Sequence, residues 1–100
     1  MKLDEFTKLP KVLGAGLVSE DGFIIEGQAR FEYDMDKLGA IAARVVNRIK
    51  NSLNVANASA IIYTHDNVLF LKDTADGIFF VICQKDANVG LVKIRLDKLT

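Results

Sequence analysis

The chain has 100 residues, 13 Lys and Arg balance 13 Asp and Glu, and half of the residues are apolar; this excludes a disordered chain and suits a single domain spanning residues 1–100 with one core. Zero net charge without a basic block argues against a dedicated nucleic-acid binder, and apolar runs such as Gly77 to Cys83 fall well short of the roughly 20 residues a membrane-spanning helix needs. The N-terminus, Met1-Lys2-Leu3-Asp4-Glu5-Phe6, lacks a signal-peptide pattern and the lone cysteine, Cys83, has no partner for an internal disulfide, so the expected location is cytoplasmic.

In chain order, Asp4 to Leu9 has room for about two helical turns before Pro10, which disfavours helix at the residue preceding it. Lys11 to Ser19 reads as a strand in which Gly14 and Gly16 are interspersed with Val12, Leu13, Ala15, Leu17 and Val18. Ser19-Glu20-Asp21-Gly22 is a turn signal. Phe23 to Phe31 then returns as the hairpin partner, with Phe23, Ile25, Ala29 and Phe31 on one parity and Glu26, Gln28 and Arg30 on the other; only Ile24 and Gly27 break the alternation.

Asp34 and Asp36 place carboxylates at the start of the best helix in the sequence, Lys37 to Leu53. At 100° per residue Leu38, Ala42, Val45, Ile49 and Leu53 share one stripe, flanked by Ile41 on one side and by Gly39, Ala43 and Val46 on the other. The apolar arc is about 200° wide, more than a helix lying on one surface requires. Lys37, Arg44, Asn47, Arg48 and Asn51 make up a narrow, basic remainder that includes Ala40. Ala58 to Thr64, Val68 to Lys72 and Ile78 to Gln84 follow as an antiparallel meander joined by turns at His65-Asp66-Asn67 and Asp73 to Gly77. Ile78 to Cys83 is apolar at both parities, which requires cover on both sheet faces. Asn88 caps a final helix in which Val89, Val92, Leu96 and Leu99 recur at helical spacing, while Leu91 and Ile94 lie off that stripe.

This order predicts an α+β fold: a five-stranded antiparallel sheet between one long helix on one face and two terminal helices on the other. No other helix remains to cover the wide arc of the long helix, so the expected cover is a second copy of the chain in a homodimer.

Catalytic constellations are nearly absent. His65 is the only histidine and falls in a predicted turn beside Asp66, where a general base or metal ligand would lack neighbours. Cys83 sits in the most apolar strand as a small core residue rather than in the electropositive, exposed setting of a reactive thiol. Gly14-Ala15-Gly16 lacks the spaced glycines and Lys-Ser/Thr of a phosphate loop, so close backbone packing is the expected role. Asp34 with Asp36, and Glu20 with Asp21, read as caps and turn residues before acid–base pairs. No catalytic residue, cofactor or metal site is therefore expected. Gly39 and Ala43, one helical turn apart, fit close approach of another backbone, and two readings stand: a subunit contact or packing within the monomer. Lys37, Arg44 and Arg48 form a ridge suited to an acidic partner or to solvent.

Leu9-Pro10-Lys11-Val12-Leu13-Gly14-Ala15, then Gly16-Leu17-Val18-Ser19-Glu20-Asp21-Gly22-Phe23-Ile24-Ile25, then the Ala-rich helix and Asn88-Val89-Gly90-Leu91 together resemble the Roadblock family of dynein light chains and bacterial relatives. The resemblance extends over essentially the whole chain and is one of fold pattern, profilin-like, without a catalytic motif. It implies a homodimer whose long helices pack side by side and whose strand Ala58 to Thr64 pairs with its copy. That puts the dimer contact at Gly39, Ile41, Ala42, Ala43, Val46, Ser59, Ile61 and Tyr63. It also implies a non-catalytic module that binds a small Ras-like GTPase through the paired-helix side, with Lys37, Ala40, Arg44, Asn47 and Arg48 as contact candidates. The chain is little more than the bare domain, without the C-terminal extension some activating members carry, so binding is expected ahead of stimulated hydrolysis. A passive dimerisation scaffold and a small-molecule sensor are the competing classes, and Phe70, Phe79 and Phe80 favour a filled core over a sensor cavity.

Overall fold

Residues 3–30 and 34–99 are described by the structure, a computed structural model. The short acidic segment before Pro10 forms α1 (Leu3–Thr7), which buries Leu3 and Phe6. β1 (Val12–Val18) and β2 (Ile24–Ala29) form the hairpin foreseen around Gly22, whose φ of 92° suits glycine. In α2 (Met35–Leu53) the Asp34 carboxylate accepts the Lys37 N–H, and Asn54 in the left-handed region closes the helix by donating its N–H to the Lys50 carbonyl. β3 (Ser59–Tyr63), β4 (Asn67–Thr74) and β5 (Gly77–Gln84) are the meander, and α3 (Val89–Asp97) starts at Asn88, which accepts the Leu91 N–H. Among the described residues no helix is long and apolar enough to cross a membrane.

The five strands form one antiparallel sheet in the order β2-β1-β5-β4-β3. β5 lies at its centre, and the residues from Ile78 to Cys83 are all buried, as apolar character at both parities requires. On one face Phe6, Leu17, Phe70, Phe79, Val81, Val92 and Leu96 pack together beneath α1 and α3. On the other, Val18, Leu69, Leu71, Ile78 and Phe80 meet Ala42, Ala43 and Val46 of α2. The expected division of helices between the faces is thus the observed one.

Two details differ from the periodicity reading. In β2 the alternation does not carry across the hairpin, because the ladder pairs Leu17 with Glu26 and Val18 with Ile24 and leaves Ile25 as the extra residue of a bulge. Ile24, which broke the alternation, therefore packs towards α2, while Phe23 and Ile25 are 73% and 55% exposed. Phe31 lies outside the described residues. In α2 the buried line is Gly39, Ala42, Ala43 and Val46. Leu38, Val45 and Ile49 are half-buried and Leu53 is exposed, although all were placed on the central stripe. The small residues win because they bring the helix axis close to the sheet: a Cβ on Gly39 would lie 2.6 Å from Ile24 Cδ1 and 3.2 Å from Val18 Cγ2.

Gly14 and Gly16 have packing roles. A Cβ on Gly16 would lie 2.4 Å from Phe80 Cζ, and one on Gly14 would lie 3.1 Å from the Gln28 carbonyl oxygen. These strand glycines let a neighbouring ring and backbone approach.

Candidate interaction surface

Cys83 is fully buried, and burial pushes its thiol pKa up to about 11, opposite to the activation a nucleophile needs. His65 is exposed in the β3–β4 turn with its Nδ1 2.9 Å from the Asp66 carboxylate. Asp34 caps α2. Glu20 lies 3.7 Å from Lys50 Nζ, which is also 2.7 Å from the largely buried Asp73 carboxylate. That Asp73 contact raises the Lys50 pKa above its ordinary value and ties the last turns of α2 to β4. Among the described residues no group of three or more His, Cys, Asp or Glu could hold a metal ion. A pocket of about 90 Å³ lies between β3, β4 and α3, and an open surface cleft of about 560 Å³ is lined by Thr7, Lys8 and Gly27 to Arg30.

What remains unsatisfied by the fold is surface. α2 packs mainly on β1, β5 and β2, and less on β4. The flank of α2 turned from the hairpin carries Leu38, Ile41, Val45 and Ile49, each with exposure left after the chain has folded. On the same face of the sheet Ala60 and Ile62 of β3 are half-buried, and among the described residues β3 is an end strand with no neighbour on its outer side. An apolar helix flank and an open sheet edge therefore lie on the same side of the molecule.

Against this geometry the expected dimer residues separate. Gly39, Ala42, Ala43 and Val46 are buried against the sheet of their own chain. Ile41 keeps 38% of its surface, and Ser59, Ile61 and Tyr63 lie on the edge strand. Leu38, Val45 and Ile49, which periodicity places on one stripe with Ala42, lie beside Ile41 on this flank. Their positions on the helical wheel beside Ile41 held the signal, but only the location of the buried line shows which way they turn.

The basic ridge is also sorted. Lys37, Ala40, Arg44 and Arg48 are exposed along the outer surface of α2. Asn47 is instead half-buried and donates from Nδ2 to the Glu20 carbonyl oxygen at 2.9 Å, so it fastens the β1–β2 turn to the helix. Lys37, Arg44 and Arg48 form no ion pair among the described residues. The candidate surface is therefore a cationic helix face bordered on one side by an apolar flank and on the other by a hairpin.

The family model described as the Roadblock/LC7 domain matches residues 1–84. Solved structures give the same fold at low identity. A Roadblock/LC7 domain from Streptomyces avermitilis superposes with a TM-score of 0.83 at 13% identity over 95% of this chain and 85% of that one. The gliding protein MglB from Thermus thermophilus superposes with a TM-score of 0.82 at 15% identity, over 96% and 78% of the two chains. For MglB of Myxococcus xanthus the TM-score is 0.79 at 18% identity, over 94% and 81%. A comparison with curated protein sequences gave no match.

Proposed function

Because the chain belongs to the Roadblock/LC7 domain family, we propose that it is a non-catalytic homodimeric module that binds a small Ras-like GTPase through its paired α2 helices. The observation that carries this reading is the apolar flank Leu38, Ile41, Val45 and Ile49 lying on the same side as the unpaired β3 edge. A second copy related by a two-fold axis covers both at once: flank meets flank, and β3 pairs with β3 to continue the sheet. Ser59, Ile61 and Tyr63 join the contact through the strand, with Ala60 and Ile62 beneath the helices. Lys37, Ala40, Arg44 and Arg48 of both copies then share one outward surface, and Asn47 supports it by holding the hairpin.

On this surface the partner's switch segments are held by contact, which shifts their population towards the hydrolysis-competent arrangement. An arginine inserted beside the nucleotide is the alternative route, but Arg44 and Arg48 sit on a helix face that limits their reach. Complete loss of stimulation in Arg44→Ala or Arg48→Ala with affinity retained would establish insertion and refute switch stabilisation.

The test of binding is a titration of the wild-type chain against purified small Ras-like GTPases from the source organism, each loaded with GDP or a non-hydrolysable GTP analogue. Unequal affinity for the two forms is the expected result. Equal affinity for both forms would support a passive scaffold, and no binding to any of them would remove the GTPase reading.

A further inference from the structure

We propose that the outer edge of β2 takes up an extended acidic peptide as an added strand, seated in the cleft beside α1. This site is separate from the α2 surface and does not depend on the GTPase reading. In the order β2-β1-β5-β4-β3, β2 lies four strand spacings of about 4.8 Å from β3, so a dimer seam at β3 leaves this edge open.

The backbone of β2 is arranged to accept a strand. The Arg30 N–H donates to the Leu13 carbonyl at 2.9 Å. An antiparallel ladder turns the backbone groups of alternate residues towards the neighbouring strand, so those of Glu26, Gln28 and Arg30 meet β1 and those of Gly27 and Ala29 point outward. The outer edge thus offers two N–H donors and two carbonyl acceptors that no strand pairs among the described residues. A bulge commonly protects an edge, but the one at Ile25 lies at the hairpin end and leaves Glu26 to Ala29 in regular register. Gly27 and Ala29 are exposed and small, so neither side chain stands in the way of an incoming backbone.

The cleft supplies the chemistry of the occupant. Its wall is fastened to the strand: the Thr7 hydroxyl donates to Gln28 Oε1 at 3.3 Å, and the Lys8 N–H donates to the Asp4 carbonyl at 3.1 Å. The charged residues of the lining are Lys8 and Arg30, with no carboxylate among them. Arg30 forms no ion pair among the described residues, and Lys8 makes an exposed contact with Asp4 at 3.7 Å, of a kind that is weak in water. Glu26 follows the parity of Gln28 and Arg30 on the same face of the sheet and reverses the sign of charge towards the hairpin. The complementary peptide therefore pairs through its backbone and places its carboxylates at the Arg30 end.

The experiment titrates the wild-type chain, Ala29→Pro and Arg30→Glu with fluorescent synthetic peptides of alternating Val and Thr that carry Glu, Lys or no charge at one end. One Glu peptide is also made with N-methyl groups on alternate amides. Melting temperature and solution mass are measured for each protein. The wild type should prefer the Glu peptide, and N-methylation should weaken it about tenfold or more through lost strand pairing. Ala29→Pro, which removes an outward N–H, should show a similar loss with melting temperature and mass unchanged. Arg30→Glu should shift the preference towards the Lys peptide. The proposal is overturned if no peptide binds the wild type, if N-methylation leaves the affinity unchanged, or if the sign of the peptide charge makes no difference. It is also overturned if inorganic phosphate at equal concentration displaces the peptide, or if Ala29→Pro lowers the solution mass, which would assign the edge to a second copy. None of these outcomes bears on GTPase binding at α2.

Discussion

Gly16→Ala isolates a packing relation that the structure makes quantitative. The new methyl would sit 2.4 and 2.6 Å from Phe80 Cζ and Cε2, and 3.1 Å from Cε1, inside the contact distance of any carbon pair. Phe80 is fully buried on the α2 side of the sheet beside Ala42, Ala43 and Val46, so its ring has no solvent to move into. Overpacking of this kind costs about 1–3 kcal/mol, against a gain of roughly 0.5–1 kcal/mol from replacing glycine within a strand. The net expectation is a loss centred near about 1 kcal/mol and at most about 2.5 kcal/mol, the central value equivalent to a fall of roughly 4–8 °C in Tm for a domain this size. Thermal and urea unfolding of Gly16→Ala, Phe80→Leu and the double variant measure it. Phe80→Leu removes the ring atoms that clash, so the alanine should cost less in that background, giving a coupling of at least about 0.5 kcal/mol. Unchanged stability in the single variant, or strictly additive losses, would refute the account of Gly16 as space for Phe80.

Arginine at Gly39 or Ala43 should unfold the monomer rather than separate folded subunits, because it places a charge where α2 meets the sheet; circular dichroism distinguishes the two outcomes. Asp34→Ala should cost about 1 kcal/mol through loss of the cap on Lys37 N–H, read as a lower urea midpoint. Cys83 should resist thiol reagents in the folded state and react on unfolding. Its pKa is raised from 9.0 to about 11, so the native state holds the proton more tightly than the unfolded chain. The associated stability is complete below pH 9 and falls by roughly 2–3 kcal/mol as pH rises towards 11, a dependence that Cys83→Ala should remove in alkaline unfolding curves.

The parts of this architecture legible in the sequence are those encoded locally. Asp34 and Asn88 announce helix starts, Gly22 marks a hairpin, and the two-sided apolar run at β5 implies a central strand. The family resemblance adds the GTPase expectation, which no local motif carries. What sequence reading misplaced depends on contacts between elements. One extra residue at Ile25 reverses the parity of β2, and alternation alone does not locate a bulge. On α2 periodicity centred the apolar stripe on Leu38, Ala42, Val45 and Ile49, while close approach to the sheet selected Gly39, Ala42, Ala43 and Val46 as the buried line. The width of the apolar arc was readable because it is a sum over the helix. Its division into a core line and a second flank required the position of Ile24 and Val18.

The pairing of α2 flanks is tested most directly by the solution mass over a micromolar dilution series, by light scattering, of the wild type and an Ile41→Arg, Val45→Arg variant. The account predicts a wild-type mass of twice the 11.0 kDa chain and a folded, monomeric variant with a retained helical spectrum. A wild-type chain that is monomeric at micromolar concentration, or a double variant that keeps the dimer mass, would contradict it.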